Sequence, residues 1–379
     1  MHFFLSAGEP SGDLHGSNLI RALRAHDANV QVTGFGGPRM AAAGAQLRYP
    51  LTELAVMGVR RVVRHLPTFF RLAADAEGVF RDQRPDAVVL IDYPGFNFAL
   101  ARRAHARGVP VYYFVPPQLW AWRRGRVREV RKWCAGVLTA LPFEDEWYRS
   151  RGVATHYVGH PYFDELASQR LDEDYLAKQR GKGGRIVALL PGSRDQEVAA
   201  NTRMMLAVAE RLASTQPGVR FLVAAFNDRQ AGVVREMAGA ADLPIEVHVG
   251  RTPEVIDLAD ACLAVSGSVG LELLYRLKPT VVIYRMNPVS LWLARRLVKL
   301  KFFSLVNLLA DEELFPEIAT SGDESERIAG YLHGWLSSRS ERDEAVTRLR
   351  EVRDRVAVPG ACDRAARFLL EAMSKRHAA

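Results

Sequence analysis

The sequence contains few cysteines and no long apolar run. Its three cysteines, Cys134, Cys262 and Cys362, are far apart and show neither CxxC spacing nor a histidine partner pattern, which predicts reduced thiols in a cytoplasmic protein. No stretch of about 18 or more apolar residues occurs, so a membrane-spanning helix is not expected. The beginning of the chain lacks the basic head and long apolar stretch of a signal peptide, and it is interpreted as a first core strand.

The chain does contain enough material for more than one hydrophobic core. Its 379 residues, of which 48% are hydrophobic and 25% charged, predict two domains. The net charge of +8 arises from arginine-rich runs, which would favour phosphates, nucleic acid or the anionic face of a membrane. Charge alone does not choose among these partners. Because no recognised nucleic-acid-binding motif is present, no nucleic acid partner is expected.

Short apolar runs alternate with amphipathic segments along the chain. Because the best runs are continuous, they are typical of parallel strands that are covered on both faces. The runs of the first half are Phe3–Ser6, Val30–Gly34, Ala87–Ile91, Val109–Phe114, Gly136–Ala140 and Thr155–Val158. Those of the second half are Arg185–Leu190, Val219–Ala225, Ile245–Val249, Ala261–Val265 and Thr280–Tyr284.

This pattern predicts an α/β fold with two Rossmann-like, doubly wound domains that face a ligand cleft at the carboxyl ends of their sheets. We place the first domain at residues 1–168 and the second at 185–345. The polar, Lys/Gly-rich stretch 169–184 is predicted to be the linker between them. A C-terminal helical segment, 346–379, is expected either to cross back or to be exchanged in a dimer.

The first loop, residues 6–16, joins a strand to a helix and is rich in glycine and small polar residues. Such a loop can bring backbone N–H groups and a helix N-terminus against an anion. The alternative is a tight turn in which Ser11 or Asp13 caps the following helix. Because Glu9 and Asp13 carry negative charge, sugar hydroxyls suit this loop better than a phosphate. The predicted contacts are Glu9, Ser11, Gly12 and Asp13.

A second strand-to-helix loop has the sequence Pro191-Gly-Ser-Arg194. Gly192 frees the backbone, while Ser193 and Arg194 supply a hydroxyl and a forked cation, the pair best suited to a diphosphate. The alternative is an ordinary capped helix start.

A third such loop follows a strand that ends at Val265 and contains Gly267 and Ser268. Their N–H groups are predicted at the positive end of a helix, where a phosphate would be stabilised. Glu272, about one turn into this helix, is suited to accept both hydroxyls of a ribose. A phosphate site beside a diol acceptor indicates a nucleotide. A capped amphipathic helix with a solvated glutamate is the alternative.

One carboxylate is suited to proton transfer. Asp92 directly follows a strongly apolar strand, and its carboxylate is predicted to take a proton from an attacking sugar hydroxyl. The residues alone leave it equally open that Asp92 forms the turn before Tyr93 and Pro94. His15 and His160 are weaker candidates for the base, because a lone histidine is more often structural.

Two segments, 56–72 and 291–309, mix aromatic and aliphatic residues with arginine and lysine. Such segments can lie in a membrane interface, with aromatic rings at the acyl boundary and cations on phosphates. The membrane contacts predicted in this way are Phe69, Phe70, Trp292, Phe302 and Phe303. The alternative for either segment is a helix that packs on the core with its arginines outward. The presence of two such segments favours the membrane.

A series of motifs spans nearly the whole chain in order. They are SAGEPSGDLHG from Ser6, GGPRMAAAG at Gly36–Gly44, LAVMGVRRV at Leu54–Val62, IDYPGFN at Ile91–Asn97, PPQLWAWRRGRV at Pro116–Val127, LPFE at Leu141–Glu144, VGHP at Val158–Pro161, LLPGSRDQEV from Leu189, SGSVGLELL from Ser266 and VNLLA at Val306–Ala310. With these motifs the chain resembles the lipid-A-disaccharide synthases, glycosyltransferases of the two-domain GT-B architecture.

The resemblance implies transfer of a sugar from UDP-2,3-diacylglucosamine to 2,3-diacylglucosamine 1-phosphate, giving a β-1,6-linked disaccharide 1-phosphate and UDP. The family's motif carboxylate corresponds to Asp92, its PGSR arginine to Arg194, its SGxxxxE glutamate to Glu272 and its late asparagine to Asn307. Some relatives have aspartate where this chain has Gly95, so Asp92 is the base candidate left in that motif. On this basis the first loop binds the acceptor and the two later loops, with Asn307, bind the donor.

The resemblance also implies action at the cytoplasmic face of the inner membrane, on an anionic surface, with no required metal or cofactor. A homodimer is left open. Two other functions remain alternatives: a different GT-B-like UDP-sugar enzyme, such as a soluble glycosyltransferase or an epimerase, and a non-catalytic basic module that binds a membrane.

Overall fold

The computed structural model describes residues 1–55, 65–193, 195–239, 243–297 and 300–378. The chain folds into two units, Met1–Ala167 together with Val358–Ala379, and Ser168–Ala357. Within the described residues each unit is built on one parallel sheet with helices packed against it, so the prediction of two α/β domains is confirmed.

The strands alternate with helices along the chain, as parallel pairing requires. The strands are His2–Ala7 (β1), Gln31–Phe35 (β2), Gln46–Tyr49 (β3), Ala87–Ile91 (β4), Val111–Phe114 (β5), Gly136–Thr139 (β6), Thr155–Tyr157 (β7), Ile186–Leu190 (β8), Arg220–Ala225 (β9), Ile245–Val249 (β10), Ala261–Val265 (β11), Thr280–Arg285 (β12) and Glu317–Thr320 (β13). Their order is β3-β2-β1-β4-β5-β6-β7 in the first sheet and β10-β9-β8-β11-β12-β13 in the second.

Most helices of the described residues lie in the connections between these strands, and the last three follow β13. The helices are Pro10–His26 (α1), Pro38–Ala42 (α2), Thr52–Ala55 (α3), Leu66–Asp82 (α4), Pro94–Ala106 (α5), Val127–Trp133 (α6), Pro142–Arg149 (α7), Tyr162–Ser168 (α8), Glu173–Arg180 (α9), Asp195–Thr215 (α10), Asp228–Ala238 (α11), Thr252–Leu258 (α12), Val269–Tyr275 (α13), Pro288–Leu297 (α14), Leu305–Ala310 (α15), Ser325–Ser337 (α16), Arg339–Val356 (α17) and Ala361–Ala378 (α18). None of those that the structure describes combines the length and the apolar character needed to cross a bilayer.

The central strand β1 shows why a continuous apolar run is needed. Successive side chains of a strand point to opposite faces. Phe4 packs on one face, with its ring centroid 5.0 Å from that of Phe80. Phe3 and Leu5 lie on the other face, in a core shared with helices α1 and α18. Both faces of the first sheet are therefore buried.

The stretch predicted as a linker, 169–184, contains helix α9, which lies in the second unit. Asp172 caps this helix by accepting a hydrogen bond from the Tyr175 N–H at 3.0 Å. Leu176 is buried. The prediction differs from the structure because one buried leucine among charged residues gives no visible apolar pattern.

Each sheet has a point where the strand order reverses direction. In the first sheet it lies between β1 and β4, where Ala7 is in register with Ile91. In the second it lies between β8 and β11, where Leu190 is in register with Ala264. Loops that leave two such strands diverge and open a crevice at the carboxyl ends, which is where open α/β sheets bind ligands. The predicted loops that follow β1, β4, β8 and β11 all begin at these two points.

Candidate functional site

Asp92 lies directly after β4, in an unusual backbone conformation. Its φ angle is +43° and that of Tyr93 is +47°, so two consecutive non-glycine residues occupy the left-handed region before α5 begins. Such a turn is strained and persists only when its surroundings hold it. The Asp92 N–H donates to the carbonyl of Val115 at 3.2 Å. The Asp92 carbonyl accepts from Asn97 Nδ2 at 2.8 Å and from the Tyr113 hydroxyl at 3.2 Å.

The Asn97 side chain links the ends of strands β1 and β4 by hydrogen bonds. Its side-chain oxygen accepts from the Ser6 hydroxyl at 2.7 Å, and its Nδ2 group also donates to the Ile91 carbonyl at 3.2 Å. The side chain is fully buried. The motif that contains Asn97 was recognised in the sequence, but this role follows only from tertiary contacts.

The electrostatic environment of Asp92 favours proton transfer at neutral pH. The pKa of the Asp92 carboxyl is raised to about 7, mainly by burial and also by the charge of Glu9, while a hydrogen bond from the Tyr93 N–H opposes the rise. A carboxyl with a pKa near the operating pH is a better proton acceptor than an ordinary aspartate and is still ionised in a useful fraction of molecules.

A second buried carboxyl, Glu144, was not singled out from the sequence. It lies in the first turn of α7 and is 2% exposed. Its oxygens accept from the Trp120 indole N–H at 3.1 Å and from the Ala140 N–H at 3.2 Å. The pKa of Glu144 is raised to about 8, mainly by burial and slightly by the charge of Asp92, while the hydrogen bonds that it accepts oppose the rise. Glu144 is therefore largely protonated at neutral pH and acts as an anchor for Trp120.

The first loop has an exposed and a buried half. Glu9 is half-buried and occupies the N-cap position of α1 without a side-chain cap bond, and Ser11 is exposed. Gly12 is buried, and a β-carbon there would lie 3.3 Å from that of Ala7, which is a tight contact. Glu9 and Ser11 are thus the polar side chains of this loop that solvent reaches.

Asp13 serves a structural purpose that differs from both predicted roles. Its carboxylate accepts backbone N–H bonds from Gly37 at 2.9 Å, Arg39 at 3.0 Å and Met40 at 3.0 Å. It therefore caps α2, not the helix that contains it. A direct contact between Asp13 and an acceptor sugar stays a prediction.

The two histidines considered as bases form a buried pair. The ring centroids of His15 and His160 are 5.7 Å apart in an edge-to-face arrangement. Burial lowers the pKa of His15 to about 3 and that of His160 to about 4. Both imidazoles are neutral at physiological pH, and such low basicity makes them poor proton acceptors compared with Asp92.

In the second unit, the loop after β8 is held by two amide side chains. Asn201 donates to the Pro191 carbonyl at 3.1 Å, and Gln230 donates to the Ser193 carbonyl at 2.9 Å. Gly192 has a φ of +105°, which favours glycine, and Ser193 is exposed. Arg194, the predicted diphosphate ligand, lies outside the described residues.

The loop after β11 presents Gly267 and Ser268 to solvent at the start of α13. Glu272 is 2% exposed, unlike the solvated glutamate of the alternative, and its carboxylate pairs with Arg276 at 3.0 Å. Arg276 in turn donates to Gln169 at 2.7 Å. The ribose contact predicted for Glu272 stays a prediction.

Asn307 is fully buried and holds a loop of its own unit. Its Nδ2 group donates to the Phe315 carbonyl at 2.7 Å and to Glu317 at 2.8 Å. Its oxygen accepts from the N–H groups of Leu314 and Phe315, both at 2.9 Å. The donor contact predicted for Asn307 therefore stays a prediction, and its observed contacts are internal.

The predicted membrane residues divide into exposed and packed groups. Phe70 is 69% exposed. Phe69, by contrast, packs on the core, with its ring centroid 5.4 Å from that of Phe96. Phe69 is partly buried on this face of α4, and its membrane contact stays a prediction. Residues 56–64 of the same segment lie outside the described residues.

On the second segment, Trp292 is 56% exposed and lies 4.6 Å under the Arg296 guanidinium. Phe302 is partly buried, with the Lys301 ammonium 4.9 Å above its ring. Phe303 is also partly buried and contacts Tyr284, with ring centroids 6.0 Å apart. The exposed apolar surface of this segment is therefore formed by α14, not by the phenylalanines that follow it.

Comparison with known proteins identifies relatives over the whole chain. A family model described as lipid-A-disaccharide synthetase matches residues 3–370. The lipid-A-disaccharide synthase of Myxococcus xanthus is 37% identical over 370 residues, covering 96% of this chain and 96% of that protein. The one from Geobacter sulfurreducens is 32% identical over 371 residues, covering 98% of this chain and 97% of that protein.

Solved structures share the fold at low sequence identity. The UDP-GlcNAc 2-epimerase from Neisseria meningitidis bound to UDP-GlcNAc has a TM-score of 0.62 at 12% identity, covering 99% of this chain and 100% of that chain. The calicheamicin glycosyltransferase CalG4 has a TM-score of 0.62 at 15% identity, covering 100% of this chain and 99% of that chain. The fold is thus that of GT-B glycosyltransferases and related epimerases. With the sequence relatives over its whole length, the chain belongs to the lipid-A-disaccharide synthase family, glycosyltransferases that act in lipid A biosynthesis.

Proposed function

We propose that this protein transfers 2,3-diacylglucosamine from UDP-2,3-diacylglucosamine to the 6-hydroxyl of 2,3-diacylglucosamine 1-phosphate, with Asp92 as the general base. The observation that carries the proposal is the carboxyl of Asp92 at the reversal point of the first sheet, with a pKa raised to about 7 by burial. Membership of the family supports the chemical class of both substrates.

The reaction is a direct displacement at the anomeric carbon. The acceptor 6-oxygen forms a bond to that carbon while the bond to the UDP phosphate oxygen breaks, and UDP leaves with the electron pair. Asp92 accepts the proton of the hydroxyl, so that negative charge does not accumulate on a free alkoxide. Glu9 and Ser11 are proposed to orient the acceptor sugar, since their side chains are accessible in the same loop cluster.

The leaving UDP needs stabilisation of its diphosphate. We assign this to the loop after β8, through Ser193 and Arg194, and to the N–H groups of Gly267 and Ser268. Gly192 permits the backbone turn that this loop requires. Among the residues that the structure describes, no group of three or more histidine, cysteine, aspartate or glutamate side chains is arranged to hold a metal ion.

The experiment is a comparison of the wild-type protein with Asp92→Asn on the two lipid sugars. Disaccharide 1-phosphate and UDP are measured together by mass spectrometry, and UDP affinity by calorimetry. Asp92→Asn is expected to keep UDP affinity and to slow turnover by roughly 10²- to 10⁴-fold, the usual contribution of a general base. Near-normal turnover by a folded Asp92→Asn protein would remove Asp92 from this role.

We also propose that the protein works as a peripheral protein on the anionic cytoplasmic face of the inner membrane, because both substrates carry acyl chains that remain in the bilayer. The exposed apolar and basic side chains of α14 support this placement. We also propose that the protein forms a homodimer. A test of domain exchange would ask whether the returning segment 358–378 packs on its own chain or on the second copy.

A further inference from the structure

The segment that follows β5 lies at the same sheet edge as Asp92. Strands β4 and β5 are neighbours, and Ile91 is in register with Phe114. The first residue after β5, Val115, accepts the hydrogen bond of the Asp92 N–H at 3.2 Å. The chain that leaves β5 therefore begins in direct contact with the candidate base.

The first part of this segment is held by hydrogen bonds, and its later part is exposed to solvent. The Tyr148 hydroxyl donates to the Pro117 carbonyl at 2.9 Å, and Glu144 accepts from the Trp120 indole at 3.1 Å. Both anchors come from helix α7. Leu119 and Trp120 are buried, whereas the residues at 122–125 are exposed. We call residues 120–126 the arginine loop.

Two consecutive arginines of the arginine loop each make a contact that does not involve a carboxylate. Arg124 donates through Nε to the Trp120 carbonyl at 2.9 Å, and its two terminal nitrogens take no part in this bond. The Arg123 guanidinium lies 4.9 Å from the centroid of the Trp122 ring. Within the described ranges neither forms a salt bridge, whereas Arg126 of the same loop pairs with Glu129 at 3.0 Å.

The acceptor sugar carries an anionic group, its 1-phosphate, that suits the arginine loop. Its 1-phosphate is on C1 and its 6-hydroxyl is on the carbon attached to C5, and these two ring atoms flank the ring oxygen, so an acceptor whose 6-hydroxyl reaches Asp92 carries its phosphate within a sugar's width of that carboxyl. A phosphomonoester is a dianion that accepts forked hydrogen bonds, and two neighbouring guanidinium groups suit it better than a single ammonium.

We propose that the arginine loop binds the 1-phosphate of the acceptor, with Arg123 and Arg124 as its ligands. The proposal rests on the proposed function, because it takes Asp92 as the site of the 6-hydroxyl. It gives the enzyme a way to distinguish the phosphorylated acceptor from the same sugar without a phosphate. Glu144 is a positioning residue in this scheme, since it holds Trp120 and, through the Trp120 carbonyl, Arg124.

The test compares wild-type protein with the double variant Arg123→Gln/Arg124→Gln in neutral detergent micelles. Two acceptors are used, 2,3-diacylglucosamine 1-phosphate and 2,3-diacylglucosamine. The variant is expected to lose about 10- to 100-fold in kcat/KM for the phosphorylated acceptor, the size expected for lost charged hydrogen bonds. Turnover of the unphosphorylated acceptor and the KM for the donor should change less than about threefold. Inhibition by soluble glucosamine 1-phosphate should weaken in parallel.

The matched control is Arg102→Gln/Arg131→Gln, which removes the same charge from two exposed arginines on α5 and α6. It should retain the wild-type preference for the phosphorylated acceptor. An equal loss with both acceptors would overturn the proposal, since the loop would then be only structural. A raised donor KM would overturn it in favour of a donor contact. A loss that appears when the assay is repeated in anionic vesicles, but not in the micelles, would overturn it in favour of a contact with lipid headgroups.

Failure of the proposed function and failure of the role proposed for the arginine loop give different results. If wild-type protein forms no disaccharide from the lipid sugars, the proposed function is wrong. If it forms the disaccharide and the double variant keeps the preference for a phosphorylated acceptor, only the role of the arginine loop is wrong.

Discussion

Asp13 and Asp92 are both carboxylates at the carboxyl edge of the first sheet, but the hydrogen bonds that they receive differ. Asp13 accepts three backbone N–H bonds and caps α2, so its charge is satisfied inside the protein. Asp92 receives a backbone N–H from Tyr93 but lies near the charge of Glu9, and burial raises its pKa to about 7. The same residue type is thus structural in one place and suited to proton transfer in the other.

The raised pKa of Asp92 predicts a pH-dependent difference between wild-type protein and Asp92→Asn. The pKa is about 7 in the folded state against 3.8 as the ordinary value, so the unfolded chain ionises first as the pH rises. The stability from this group is complete in acid and is lost as the pH rises through the folded pKa. Asp92→Asn, which cannot ionise, should therefore gain stability relative to wild type between about pH 4 and pH 7, by an amount on the order of a few kcal/mol.

Thermal unfolding of both proteins in a series of buffers measures this difference. The gap in Tm should widen up to about pH 7 and stay constant above it. A gap that is the same at all pH values would mean that the pKa of Asp92 is the same in the folded and unfolded states, and the raised pKa that suits it to act as a base near neutral pH would be lost.

The sequence locates Asp92 because an apolar strand ends immediately before it. It does not reveal Asn97 or Glu144, because both act through neighbours far away in the chain: Ser6 for Asn97, and Trp120 for Glu144. It also misplaces the helix that Asp13 caps, since the amides of α2 approach only when the sheet has formed. The spacing of apolar residues in the sequence predicts where a loop begins, but burial and tertiary contacts determine the role of its side chains.

Helix α7 holds the segment that follows β5 by hydrogen bonds. Removal of the Glu144 carboxyl should therefore lower the free energy of unfolding measurably. Glu144→Leu leaves the Trp120 indole N–H buried without an acceptor, at an expected cost of about 1–3 kcal/mol in the free energy of unfolding. Glu144→Gln retains an acceptor of the same shape and should lose less. Urea denaturation monitored by tryptophan fluorescence gives both values. Equal stability of the leucine variant and wild type would show that the bond contributes little.

The strands that are buried on both faces were predicted from their continuous apolar runs. Ala87–Ile91 matches β4, and Ala261–Val265 matches β11. Strands β3 and β13 were not predicted, and both lie at sheet edges. Exposed residues alternate with partly buried ones along β3, and partly buried residues alternate with buried ones along β13, so the short sequences QLRY and EIAT contain no continuous apolar run.

The exposed surface of α14 predicts a separation between membrane binding and stability. Trp292 is 56% exposed, so Trp292→Ser should reduce binding to anionic vesicles and leave Tm nearly unchanged. Phe303, which packs against Tyr284, is the control: Phe303→Ser should lower Tm and have the smaller effect on vesicle binding per folded molecule. Vesicle sedimentation and thermal unfolding are measured on the same preparations. Equal vesicle binding by wild type and Trp292→Ser would exclude α14 as the interface.

At the scale of the whole molecule, the chain passes between its units twice. It leaves the first unit after residue 167 and returns at residue 358. Helix α18 then completes the core of the first unit, where Leu369 and Met373 are buried. Composition predicted a helical C-terminal segment but not the residue at which the chain returns, because α17 and α18 are both amphipathic and only contacts distinguish them.

The return of α18 depends on Asp164, which gives a prediction for the whole molecule. The Asp164 carboxylate accepts N–H bonds from Gly360 at 2.6 Å, Ala361 at 3.0 Å and Cys362 at 2.8 Å. Asp164→Ala should leave the first turn of α18 without these acceptors and lower the free energy of its local unfolding by about 1–3 kcal/mol. Hydrogen exchange should therefore accelerate in α18 and in α1, on which it packs, and remain unchanged in the strands of the second unit.

Asp363→Ala is the matched control, because Asp363 lies on the same helix and its partners, His26 and Arg367, form exposed ion pairs with it. Such pairs contribute little, so exchange in α18 should change by less than about threefold. Faster exchange spread evenly over both units of Asp164→Ala would mean that the units unfold together. Unchanged exchange in α18 would mean that its apolar face alone holds the helix on the first unit, and that the Asp164 cap adds nothing to the stability of the returning segment.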